Sequence, residues 1–72
     1  MFMTRSQQQS RVRREALESW RAAASLVVIR WDRFLHAEPE MRVFAFASYV
    51  AALDCEEAAA ADLKALALPA AA

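Results

Sequence analysis

His36-Ala37-Glu38-Pro39-Glu40 divides the chain. Proline lacks an amide hydrogen and crowds the residue before it, so Glu38 is driven out of helical backbone while Pro39 suits the first position of a new helix. Glu38 and Glu40 place negative charge at the positive end of that helix. The stretch therefore predicts a turn over 37–38 between helix 1, about 6–36, and helix 2, about 39–68, with 69–72 a frayed tail behind Pro69. Each helix would be about 45 Å long at 1.5 Å per residue. Matched lengths favour an antiparallel hairpin, one domain over 1–72, and the rival is a single long helix kinked at Pro39.

Outward from the turn, both arms carry helical patterns. Upstream, Thr4-x-x-Gln7 and Ser6-x-x-Gln9 each fit a capping box, in which hydroxyl and amide satisfy orphan backbone donors at a helix start. At 100° per residue, Ala16, Leu17, Trp20, Ala24, Val27, Trp31, Phe34 and Leu35 fall in one broad arc. Arg14, Glu18, Arg21, Ser25, Asp32 and Arg33 occupy the opposite side. Ala22, Leu26 and Ile29 break that polar side at spacings of four and three and form an apolar strip. Downstream, helix 2 has a bulky row, Phe46, Val50 and Leu53, and a second row, Phe44, Ala47, Ala51, Cys55 and Ala58, well round the helix from it. One partner helix cannot cover both rows.

Size turns that surplus into an expectation of association. The chain has 72 residues, 58% hydrophobic, with 18 alanines and no glycine. The lack of glycine argues against tight hairpins and phosphate-cradling loops. Two helices alone rarely bury enough apolar surface to offset an ordering cost of about 1.5 kcal/mol per residue. Cys55 is the one cysteine and His36 the one histidine, so neither an internal disulfide nor a structural zinc site is available as a staple. A second copy of the chain is the expected remedy, most simply as a four-helix dimer.

Charge adds a direction. Residues 1–36 carry a net +4 and residues 37–72 a net −4, so the helices are electrostatically complementary. In an antiparallel hairpin Arg11, Arg13 and Arg14 are expected to face Asp54, Glu56, Glu57 or Asp62. Arg5, Arg11, Arg13 and Arg14 are also the candidate phosphate contacts if the protein binds nucleic acid. No aromatic residue interleaves them, which argues against stacking on single strands.

Other chemistry is sparse. Asp32 and His36 stand four apart, but the Glu-x-x-His pair of a helical di-metal site is absent; His36 reads as a helix C-terminal residue beside Asp32. Cys55, flanked by Glu56 and Glu57, has no basic activator in sequence and reads as a small core residue. The opening Met1-Phe2-Met3-Thr4-Arg5 leads into a polar Ser/Gln run, so no secretory signal is expected. The longest apolar run, Val43 to Leu53, falls well short of the about 20 residues of a membrane span. Eight arginines to one lysine with abundant alanine point to a GC-rich bacterial or phage genome.

The expectation is an all-α hairpin that self-associates and serves, without catalysis or cofactor, as a cytoplasmic regulatory or adaptor module. The predicted oligomer interface is Trp20, Val27, Trp31, Phe34, Phe44, Phe46, Val50 and Leu53, with Ala22, Leu26 and Ile29 a second contact strip for the dimer or another protein. The alternative is a nucleic-acid-binding regulator that uses the four N-terminal arginines.

Overall fold

The computed structural model describes residues 4–67; Met1 to Met3, the expected end of helix 2 at residue 68 and the expected tail at 69–72 lie outside the described residues. Two helices, α1 (Arg5–Leu35) and α2 (Arg42–Ala67), fold back on each other, joined by a short turn and a single 3₁₀ turn at Pro39–Met41. The fold is an all-α antiparallel hairpin, not the kinked single helix.

Each boundary has a local cause. Thr4 caps α1 in extended backbone: the Gln7 amide donates to its hydroxyl at 3.2 Å, and the Thr4 amide donates to the Gln7 side-chain oxygen at 2.9 Å. Thr4 is thus the residue that closes the capping box. At the other end His36 caps the helix without glycine. Its amide donates to the Asp32 carbonyl at 3.2 Å, and its Nδ1 reaches the same oxygen at 2.8 Å and the Asp32 carboxylate at 3.4 Å. Two donors thus satisfy one otherwise orphaned carbonyl. Glu38 is extended at φ −61°, ψ 149°, as a pre-proline residue should be. The Met41 amide then donates to the Glu38 carbonyl at 2.9 Å, so the first turn after Pro39 is 3₁₀, with α-helix proper from Arg42.

Cross-hairpin contacts set a steady register. Arg30 meets Ser48, Trp31 meets Tyr49 and Phe34 meets Phe46 near the turn, while Glu15, Ala16, Asp62 and Leu66 border one hollow near the open end. The half-buried positions of α1 recur at alternating steps of four and three: Ala16, Trp20, Ala23, Val27, Arg30 and Phe34. Those of α2 do the same: Ala45, Tyr49, Ala52, Glu56, Ala59, Leu63 and Leu66. That is the seam of an antiparallel coiled coil. The register places Trp20 level with Ala59, Val27 with Ala52, and Phe34 with Ala45, a large side chain opposite a small one each time.

The seam corrects the sequence expectation on both helices. In α1, Ala16, Leu17, Trp20, Ala24, Val27 and Phe34 turn inward as expected, but Trp31 and Leu35 remain exposed, and Ala23 and Arg30 take seam positions instead. In α2 neither expected row forms the centre of the contact. Alanines and Tyr49 do, because helix axes approach closely only where one partner is small.

The result is a thin layer two helices wide, 54 × 30 × 12 Å, with a radius of gyration of 16.9 Å. A compact domain of this length would have about 11 Å. Among the described residues Ala52, at 1% exposure, is the only buried one.

Candidate functional site

A layer two helices wide has two broad faces, and both carry exposed apolar side chains here. Positions beside the seam divide between them. Trp31 and Phe46 flank the inner pair Phe34 and Tyr49 on one face: ring centroids lie 4.9 Å apart for Trp31 and Tyr49, 5.4 Å for Trp31 and Phe34, 5.4 Å for Phe34 and Phe46, and 6.2 Å for Phe46 and Tyr49. All four pairs are tilted, at spacings where aromatic rings attract. Helical spacing brings Val28, Leu35, Val43 and Val50 to this same face, and all four are exposed, Val43 at 76%. Leu17, Ala24, Leu53 and Ala60 lie half-buried along its inner edge.

The opposite face carries the strip Ala22, Leu26 and Ile29 of α1, all exposed as read from the sequence. Beside it on α2 stand Phe44, at 67% exposure, Ala51, Cys55 and Ala58. Cys55 is exposed, not a core residue: the row to which it belongs points away from the seam. At the open end this face holds an open hollow lined by Val12, Glu15, Ala16, Asp62, Ala65 and Leu66. Glu15 is engaged by Arg11 of its own helix at 3.2 Å.

The predicted oligomer-interface residues therefore fall in three places. Trp20, Val27 and Phe34 face α2 of their own hairpin. Trp31, Phe46, Val50 and the half-buried Leu53 belong to the aromatic face, and Phe44 to the opposite one. Tyr49, Arg30 and Ala52 are seam positions absent from the predicted interface. Arg30 is half-buried and its Nη1 donates to the Ser48 carbonyl at 3.1 Å, a charged group held in the seam by a backbone acceptor. The signal that reveals them is the four-three periodicity shared by both helices.

The arginine expectation also changes. Arg5, Arg11, Arg13 and Arg14 are all exposed, but a helix turns 100° per residue and sends them to all sides of α1, with gaps of roughly 60° to 120° between neighbours. They form a collar around the start of α1. Asp54, Glu56 and Glu57 stand level with residues 22–25, roughly 15 Å along the helix from Arg13 and Arg14. Of the acids expected to oppose these arginines, Asp62 is the one the register brings to their end.

Among the described residues, no group of three or more His, Cys, Asp or Glu is placed to hold a metal ion, and no helix is long and apolar enough to cross a membrane. Fold and surface together define a class, the all-α helical hairpin with two unpartnered apolar faces. No protein family, curated protein or solved structure matches this chain.

Proposed function

We propose that the protein is a non-enzymatic interaction module that self-associates through the aromatic face and presents the opposite face, centred on Leu26 and Ile29, to a partner protein. The observation that carries this reading is the ratio of exposed to buried hydrocarbon. One alanine is buried, while Trp31, Phe44, Phe46, Leu35, Met41, Val28 and Val43 are each at least 41% exposed. Contiguous apolar surface on this scale marks a contact site. The aromatic face is the better self-association surface because its side chains are large, rigid and already packed on one another, which lowers the ordering cost of an interface. Such a protein would act as a cytoplasmic regulator or adaptor, in a bacterium or phage if the arginine- and alanine-rich composition reflects a GC-rich genome. The dispersal of the four N-terminal arginines around α1 weighs against the nucleic-acid alternative.

Sedimentation equilibrium across micromolar concentrations tests the reading. A dimer is expected, with a melting temperature that rises with protein concentration because the folded state is linked to assembly. A folded monomer whose melting temperature is independent of concentration overturns it.

A further inference from the structure

We propose that two copies of the chain pack aromatic face to aromatic face with their turns at the same end, so that α1 of each lies across α2 of the other. The inference rests on the reading that this face self-associates, and it adds the geometry of the complex. Two layers joined through the same face are related by a two-fold axis lying in the layer, and such an axis has two natural settings. Along the helices, it brings the turns together and stacks α1 on the partner's α2. Across the helices, it sets the turns at opposite ends and stacks α1 on α1.

Three observations select the first setting. The bulky apolar side chains exposed on this face, Val28, Trp31, Leu35, Val43, Phe46 and Val50, are confined to the half nearest the turn. The open half of the same face presents Arg14, Arg21, Glu57 and Lys64, all exposed. An axis across the helices at mid-hairpin would press rings onto these charges and strip them of water without partners, and one across the patch itself would lay α1 over α1 and leave Arg21 and Glu57 with no opposite charge facing them. An axis along the helices sets patch on patch.

Charge points the same way. α1 carries a net +4 and α2 a net −2, so α1 over the partner's α2 is attractive and α1 over α1 repulsive. The register brings Arg21 level with Glu57 of the partner subunit. Arg14 comes level with Lys64 of the partner subunit, which confines the tight contact to the turn half and leaves the open ends apart.

Area is sufficient. The chain exposes 6067 Å², against about 4,500 Å² for a compact protein of its mass. The surplus, which the two broad faces share, is comparable to the about 800 Å² per partner of a standard interface.

The test is a dipolar distance measurement between nitroxide labels on the full chain carrying Glu38→Cys and Cys55→Ser. Glu38 is exposed and its side chain makes no capping hydrogen bond, and Cys55 is exposed, so neither change touches the seam. Gln8→Cys, at an exposed position near the start of α1, serves as the second label site, because no axis across the helices can hold both ends of the hairpin close to their copies. With packed layers about 10 Å apart, the proposed dimer gives label distances below about 30 Å at both sites. A dimer in which either site exceeds that distance overturns the orientation while leaving self-association standing; an axis across the helices puts at least one of the two sites near or above about 45 Å from its copy, since they stand about 30 residues apart at 1.5 Å each. A sedimentation mass of one chain with no dipolar coupling overturns the orientation and the self-association reading together.

Discussion

Ala52 shows how little material holds the hairpin together. Its methyl group is 1% exposed and stands level with Val27, so the distance between the helix axes at mid-hairpin is set by an alanine against a valine. A longer side chain there has nowhere to go without separating the helices or leaving its preferred rotamer. Ala52→Leu should therefore destabilise the protein by about 1–3 kcal/mol, the usual cost of overpacking, despite being more hydrophobic. Chemical denaturation at fixed protein concentration checks it, and an unchanged or raised midpoint would mean that the seam is looser than its contacts imply. Arg30 sets the complementary limit. Placing a guanidinium at a seam position is costly unless it finds an acceptor, and the Ser48 carbonyl at 3.1 Å supplies one. A polar group with a single well-placed partner in the seam also disfavours a slip in register, the role such residues play in coiled coils.

At the scale of the elements, the hairpin was legible because its determinants are local. Pro39 excludes Glu38 from helix, Thr4 and Gln7 close a capping box, and the arms between contain neither glycine nor proline; each of these acts within four residues. The packing face of α2 was not legible in the same way. Ranking positions by bulk selects Phe46, Val50 and Leu53, yet the surface that meets α1 is centred on Ala45, Ala52 and Ala59, because Trp20, Val27 and Phe34 need small partners. Exposure of Cys55 follows from the same geometry. The strip Ala22, Leu26 and Ile29 could be read because its position depends on α1 alone. The elements should also differ in stability along their length. The aromatic cluster ties the turn end, whereas the open end of α2 runs through Ala58, Ala59, Ala60 and Ala61, which bury little. Amide exchange is accordingly expected to be slowest over Val27–Phe34 and Ala45–Leu53 and fastest toward Arg5–Val12 and Asp62–Ala67, since local opening follows the density of buried apolar contacts. Uniform protection along both helices would contradict this gradient.

For the whole molecule, the consequence of a 12 Å layer is that adjacent residues of one helix can serve different interfaces. Val28 and Ile29 follow one another in α1, yet the 100° step between them sends Val28 to the aromatic face and Ile29 to the opposite one. Both are exposed in the single hairpin, at 68% and 45%, so a lysine at either position can reach water without disturbing the seam. Their effects on assembly should separate. Val28→Lys puts an unpaired ammonium into each half of a symmetric interface, and an ion stripped of water in that way costs several kcal/mol. The dimer dissociation constant should rise by about a hundredfold or more, at 1.4 kcal/mol per factor of ten. Ile29→Lys should leave the dimer intact, with the Cys55 thiol on the same outer face equally reactive toward a thiol reagent above and below the association concentration. Sedimentation and thiol-labelling rates of the two variants, measured side by side, map the interface. If Ile29→Lys dissociates the protein, or if assembly protects Cys55 while Val28→Lys has no effect, the two faces exchange roles, and the aromatic cluster becomes the surface left for a partner.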